Sequence, residues 1–387
     1  MRIAIVSGNL IFPWGGNEKP WTFAAELARQ SGDALLLVVN PVVAAHPRIQ
    51  ALVAAGACLH RRTRFSHPTS WGQRARDCLD RSARWSSLES ALRRFKPDCL
   101  LLNQGGMFDF LLEDRLFEWC GRRHVPIVLY CNCNSEAWSL SAPDRARARQ
   151  MLRNVAATIF SSTHNLRMAE RQLAAPLPHA GVLQSPLDNG LLRAPPAWPE
   201  GPGIEAAVVA RLDAHHKGLD LLIPALHEAW GSHAEWLVNF HGEGPDRGYL
   251  EELAAVHGLR ERIRFHGFTR DIRAVWEQNQ LLLMPSRHEG CSHSMLEALA
   301  CGRPVLATDV GGVSDWLQDG VNGFVCPAPT RALVAQTLAR AWEDRARWRE
   351  MGDQAARLFR AQREPAPEKA ILDVLRQSAA GDRVVSA

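Results

Sequence analysis

Short apolar runs alternate along the chain with longer stretches in which apolar residues recur every three or four positions. Ala34 to Val39, Asp98 to Leu102, Pro126 to Cys131 and Ala157 to Phe160 are short, predominantly apolar runs, the pattern of strands buried on both faces in a parallel sheet. Met1 leads directly into a further run, Arg2 to Ser7, and the alternation predicts a doubly wound α/β domain. From Arg193 to Gly203 the chain reads Arg-Ala-Pro-Pro-Ala-Trp-Pro-Glu-Gly-Pro-Gly, which carries neither periodicity and predicts a linker. The same alternation then restarts, with strands expected at Glu205 to Ala210, Trp236 to His241, Ile263 to His266, Leu281 to Met284 and Pro304 to Ala307, and helices near 330–343 and 346–360. Two α/β domains are therefore expected, residues 1–190 and 191–365. The amphipathic segment around 366–378, beyond Pro365, is expected to pack back on the first.

The length of 387 residues agrees with two cores rather than one. Hydrophobic residues make up 46% and charged residues 22%, the balance of a water-soluble protein, and a net charge of +4 decides little. Nine scattered cysteines without CxxC pairs suggest neither a disulfide framework nor a zinc site. With no signal-like segment and no apolar run of membrane length, a cytoplasmic location is expected. Ten basic side chains between Arg61 and Lys96 against Asp77, Asp80 and Glu89 suit a peripheral contact with anionic membrane, or simply a solvated helix face. They match no nucleic-acid-reading motif.

Chemistry concentrates between Pro285 and Val305. A strand, a loop and a helix beginning near Ser292 would turn the amides of Gly290, Cys291, Ser292 and His293 toward the loop, where helix dipole and N–H groups suit a diphosphate. Glu289 in the loop and Glu297 inside the helix suit hydroxyls at two ends of an elongated ligand; taken alone, such a pair is more commonly a capping and a surface glutamate. Arg211 and Lys217-Gly218 follow a strand at the C-terminal edge of the same sheet, where open α/β domains bind ligands, and two cations there suit a diphosphate leaving group. Gly242, Gly244, Gly267 and Phe268 also follow strands at that edge, the glycines permitting close backbone approach.

The ordered set Arg211, Lys217-Gly218, Gly242-x-Gly-Pro245, Phe265-x-Gly267, Pro285-Ser286, Glu289 with seven residues before Glu297, Cys301-Gly-x-Pro-Val305 and Gly311-Gly312 closely resembles family 4 of the retaining GT-B glycosyltransferases. The resemblance is dense over about 205–360. It implies a GT-B fold, two Rossmann-like parallel-sheet domains facing a central cleft. By that likeness Arg211 and Lys217 hold the donor diphosphate, Glu297 the ribose, Glu289 the donor sugar, and Gly267-Phe268 the base. Asp315 replaces the family's usual glutamate.

In the N-terminal half, Phe12-Pro-Trp-Gly15-Gly16-Asn17-Glu18 resembles the family's glycine-rich loop after the first strand, with Gly15 and Gly16 leaving room for phosphates and acceptor. Gln104, within Asn103-Gln-Gly-Gly106, and Asn132 and Asn134, within Cys131 to Glu136, follow strands and are expected to line the cleft. Asn132 or Asn134 stands where many members carry a sugar-binding histidine. The implied activity is transfer from a nucleotide diphosphate sugar, UDP-linked by preference with GDP as the alternative, to a glycan, lipid-linked or small-molecule acceptor. No cofactor and no obligatory metal are expected. Rival readings are a nucleotide-sugar epimerase, a phosphorylase on the same fold, and a non-catalytic sugar-binding protein.

Overall fold

The computed structural model describes residues 1–8, 14–62, 85–177, 179–187, 190, 195–201 and 203–382. The chain forms two compact units, one of Met1–Pro186 with Pro365–Ala387, the other of Leu187–Glu364.

The first unit is built on a parallel sheet of seven strands: β1 (Arg2–Ser7), β2 (Ala34–Val39), β3 (Cys58–Arg61), β4 (Cys99–Gly106), β5 (Ile127–Cys133), β6 (Ala157–Phe160) and β7 (Ala180–Val182), in the order β3-β2-β1-β4-β5-β6-β7. Register pairs such as Ile5 with Leu37 and Val6 with Leu102 send alternate side chains to opposite faces. Ala4, Val6, Leu100 and Leu102 join Phe110 and Trp119 in one core, while Ile3, Ile5, Leu101 and Val128 join Trp21 in the other. Both faces are apolar, which is why these strands read as unbroken runs. The helix Pro367–Ala380 buries Ile371, Leu372 and Leu375 in the second of these cores, and Arg376 donates to Asp33 at 2.9 Å.

The second unit repeats the plan with six parallel strands: β8 (Ile204–Val209), β9 (Trp236–His241), β10 (Ile263–Gly267), β11 (Leu281–Met284), β12 (Val305–Thr308) and β13 (Gly323–Cys326), in the order β10-β9-β8-β11-β12-β13. Leu281 and Leu283 face one core, Leu282 and Met284 the other. Arg303, 2% exposed, sits inside the unit with carbonyls as its acceptors: those of Trp276 and Asn279 at 2.9 Å from Nε, of Cys301 at 2.9 Å from Nη1, and of Ala197 at 2.6 Å from Nη2. It thereby ties the segment around Ala197 to the loop before β12.

Three short strands at sheet edges, β3, β7 and β13, went unanticipated. Two others run further than their apolar stretches. The sheet includes Asn103 to Gly106 and Asn132 to Cys133, which the sequence places in loops, because their polar side chains satisfy one another across the strand pair instead of turning to water. Of the basic stretch 61–96, residues 63–84 lie outside the described residues. Among the rest, Arg62 pairs with Glu113 at 2.6 Å and Arg93 with Glu89 at 2.5 Å. No helix among the described residues is long and apolar enough to cross a membrane.

Candidate functional site

In the second unit the strand order reverses between β8 and β11, so the loops leaving these two neighbouring strands open on the point where such sheets bind ligands. Arg211 leaves β8 and donates to Asp213 at 2.5 Å; Asp213 in turn caps the short helix Ala214–Lys217 by accepting the His216 N–H. That helix delivers Lys217, whose Nζ lies 2.7 Å from Oε1 of Glu289 on the loop after β11. The same oxygen accepts the hydroxyl of Ser286 at 2.7 Å. Glu289 is 7% exposed. Burial pushes its carboxyl upward, yet Lys217, His216 and the hydrogen bonds from Lys217 and Ser286 outweigh it and hold the group below its ordinary range.

The two loops are fastened along their length. Arg287 makes a bidentate pair with Asp220, both contacts 2.7 Å, and its backbone N–H donates to the His216 carbonyl at 3.0 Å. The His216 and His288 rings stack at 4.2 Å. Burial, and then Lys217, push His216 down to about 4, so its imidazole is neutral at neutral pH. Gly218, at φ +64°, permits the contact: a Cβ there would stand 1.9 Å from the Pro285 carbonyl oxygen.

The helix His293–Ala300 begins where the sequence suggests, with Ser292 as its cap. Glu297 lies inside it, 5% exposed. Gly290 accepts from the Gly312 N–H at 2.6 Å, and Cys291 packs against Gly312 with its thiol pushed by burial up to about 12, an inert group rather than a nucleophile. Gly242 and Gly244 make room for protein backbone: added Cβ atoms would stand 1.8 Å from the Ala210 oxygen and 2.3 Å from the Leu212 oxygen. Gly267 ends β10 and Phe268 beyond it is 65% exposed.

The N-terminal candidates divide. Gly15 precedes a turn of 3₁₀ helix, Gly16–Glu18, and the buried Glu18 accepts from Trp21 Nε1 at 2.6 Å and from Ser7 at 3.2 Å. Phe12 and Pro13 of that loop lie outside the described residues. Gln104, Asn132 and Asn134 are held within their own unit. Gln104 accepts the Phe110 N–H at 2.7 Å and donates to Cys131 Sγ at 3.3 Å; Asn132 donates to Asn103 Oδ1 at 2.8 Å and to the Gln104 carbonyl at 2.6 Å; Asn134 donates to Gln172 at 2.8 Å. Their amides brace the ends of β4 and β5. The Asn134 Oδ1 accepts the N–H of its own neighbour Ser135 at 2.9 Å. Ser162 caps the helix Thr163–Leu173, which accounts for the serines before His164.

Solved structures share this fold. A structure of Anabaena Alr3699/HepE in complex with UDP and glucose superimposes with a TM-score of 0.72 at 17% identity, covering 98% of this chain and 100% of that one. Sucrose-phosphate synthase (tll1590) from Thermosynechococcus elongatus gives 0.73 at 16% identity over the same shares. The fold is GT-B. Residues 204–344, which contain Arg211, Lys217, Glu289 and Glu297, match the family model described as glycosyl transferases group 1. In sequence, alpha-D-kanosaminyltransferase of Streptomyces kanamyceticus is 31% identical over 44% of this chain, and the match spans 42% of that protein. A lipopolysaccharide core biosynthesis mannosyltransferase, LpcC of Rhizobium leguminosarum bv. viciae, is 27% identical over 61% of this chain and 68% of its own length. The chain thus spans less than half the length of the first of these relatives.

The depressed His216 has a measurable consequence. A base whose pKa falls on folding binds its proton better when unfolded, so its contribution to stability is complete above about 6.5 and drains away as pH falls toward about 4. Melting of the His216→Gln variant is expected to depend less steeply on pH between 7 and 4 than that of the parent chain. A shift of this size is worth up to about 3 kcal/mol. Parallel melting curves for the two proteins would remove His216 as the cause.

Proposed function

We propose that this chain is a retaining glycosyltransferase that takes a hexose from a nucleotide diphosphate sugar, UDP-linked in the first instance, and transfers it to the hydroxyl of a glycan or glycoconjugate. One observation carries the reading: Lys217, paired with the buried Glu289, and Arg211, paired with Asp213, stand on the loops at the reversal point of the second sheet, inside the segment that matches glycosyl transferases group 1. The Anabaena structures with UDP support a uridine donor by analogy.

Lysine has three donors, and one of them meets Glu289. The carboxylate thus aims the ammonium and leaves its other N–H groups for phosphate oxygens. As the bond between anomeric carbon and diphosphate oxygen breaks, negative charge grows on the phosphate, and Arg211 and Lys217 stabilise it more in the transition state than in the ground state. The acceptor oxygen bonds to the same face of that carbon, and its proton passes to the departing phosphate. We assign no covalent nucleophile and no obligatory metal to this step, and expect transfer to survive EDTA.

The direct test is thermal stability with UDP, GDP or ADP. A ligand at a hundred times its Kd adds about 2.7 kcal/mol to apparent stability, so UDP is expected to raise Tm clearly. If none of the three moves it, the donor assignment fails. The two glutamates then separate the ends of the donor. Glu297→Gln, on a residue read as holding ribose hydroxyls in ground and transition states alike, is expected to raise KM for the donor more than it lowers kcat. Glu289→Gln is expected to lower kcat more than it weakens UDP binding in calorimetry. The reverse pattern would exchange their roles.

A further inference from the structure

We propose that Arg287 is a positioning residue for sugar transfer: its guanidinium brackets Lys217 from both sides and so fixes where the ammonium stands. Its part in transfer rests on the glycosyltransferase reading; its hold on Lys217 does not.

The helix that carries Lys217, Ala214–Lys217, is a single turn. One turn closes too few hydrogen bonds to hold itself, so its place is set by what grips it. At its start, Asp246 on the loop after β9 accepts the Ala214 N–H at 2.7 Å. At its end, the grip comes from Arg287 on the loop after β11. Nη1 donates to the carbonyl of His215, two residues before Lys217, at 2.7 Å. Nη1 and Nη2 together take both oxygens of Asp220, three residues after Lys217, at 2.7 Å each. The backbone on either side of Lys217 is therefore pinned by one planar group.

That group is itself held. The Arg287 N–H donates to the His216 carbonyl at 3.0 Å, and the carbonyl of the preceding Ser286 accepts the hydroxyl of Thr308 at the end of β12. Glu289, which takes the Lys217 ammonium at 2.7 Å, lies two residues further along the same loop. A single loop thus fixes the lysine at its backbone through Arg287 and at its tip through Glu289.

The Arg287 and Asp220 side chains are 21% and 26% exposed, so as a surface ion pair they add little to global stability. What the fork adds is geometry. A lysine at 287 would supply the same charge as a point, whereas the guanidinium sets distance and angle together. A staple needs only the charge, but a bracket needs the fork. Where charge develops in a transition state, a misplacement of about 1 Å costs about 10²-fold in rate.

The experiment is a double-mutant cycle in transfer kinetics, with the Glu289 carboxyl followed by ¹³C NMR in the donor-free chain. Arg287→Lys is expected to lower kcat about tenfold while changing KM for the donor less than about threefold, because a misaimed Lys217 loses more in the transition state than in the ground state. Its Tm is expected to fall by less than about 4 °C. In the Lys217→Ala background the same change is expected to lower transfer by less than about twofold, since a group acting through Lys217 has nothing left to position. Without donor, Glu289 is expected to titrate at higher pH in Arg287→Lys than in the parent, as the ammonium moves away from it. Asp220→Asn, which alters the other half of the fork, is expected to shift kcat and the Glu289 titration in the same directions. An equal loss in the two backgrounds overturns the proposal, as does an unchanged Glu289 titration. A large fall in Tm for both Arg287→Lys and Asp220→Asn would make the pair a staple and overturn it too. If the parent neither binds UDP nor transfers sugar, the donor reading falls, and the Glu289 titration alone decides whether Arg287 holds Lys217 in place.

Discussion

Lys217→Ala is expected to lower sugar transfer by about 10²- to 10³-fold, on the order of 2–4 kcal/mol of transition-state stabilisation, the cost of removing a charge-assisted contact from a developing oxyanion. The structure adds a second consequence. Glu289 is nearly enclosed, and Lys217 is the partner that offsets its burial. Without the ammonium, the carboxyl pKa is expected to rise and the unit to lose on the order of 1–3 kcal/mol, because a buried charge left alone costs more than the pair gained. A double-mutant cycle separates these effects. Lys217→Met with Glu289→Gln is expected to recover much of the lost stability and none of the lost transfer. If the double variant recovers transfer, Lys217 acts only by neutralising Glu289 and its assignment to the diphosphate is wrong. Arg211→Ala is expected to reduce transfer comparably with less effect on stability, since Asp213 is more exposed than Glu289 and keeps its N-cap bond to His216.

Gly218→Ala is the substitution expected to damage the second unit most for its size. The backbone there is left-handed, and the new methyl would meet the Pro285 carbonyl oxygen at 1.9 Å. Because the obstacle is backbone, relief requires the loop after β11 to move away from the helix that carries Lys217. We expect a loss on the order of 2–4 kcal/mol, or a Tm lower by about 5–10 °C, together with loss of UDP binding as Lys217 and Glu289 separate. Gly320→Ala is the matched control. Its φ is +73° but a Cβ there meets nothing within 4 Å, so it carries the backbone cost alone, about 1 kcal/mol. Equal losses in the two variants would show that the Pro285 contact contributes nothing.

The buried parallel strands were legible because both faces of each sheet are covered, which leaves Ala34 to Val39 or Leu281 to Met284 no polar position to interrupt the run. Helix starts were legible where a capping side chain announces them, as Ser292 and Thr330 do. The strands β3 and β13 lie at sheet edges, and β7 is only three residues long, so their composition carries little of that signal. For the candidate site, residue type and spacing pointed to Arg211, Lys217, Glu289 and Glu297, since a diphosphate calls for cations and a polyol for carboxylates, and of these the structure brings Lys217 and Glu289 into contact.

Pairing was a different matter. Lys217 and Glu289 are 72 residues apart, and nothing local in either segment says that one holds the other. Their contact exists because β8 and β11 are neighbours at the point where the strand order reverses, which is a property of the sheet and not of either loop. The same holds for Gln104 and Asn132. The chain presents them as polar residues at strand ends, fit for a ligand, but the register that sets Gln104 opposite Cys131 turns the Gln104 amide onto Cys131 Sγ and the Phe110 N–H, and the Asn132 amide onto Asn103 and the Gln104 carbonyl. Sequence alone therefore determined the strands covered on both faces and which residue types carry charge at their ends. Tertiary structure decided which of those groups face each other, because hydrogen bonds and ion pairs form across neighbouring strands that the chain itself keeps far apart.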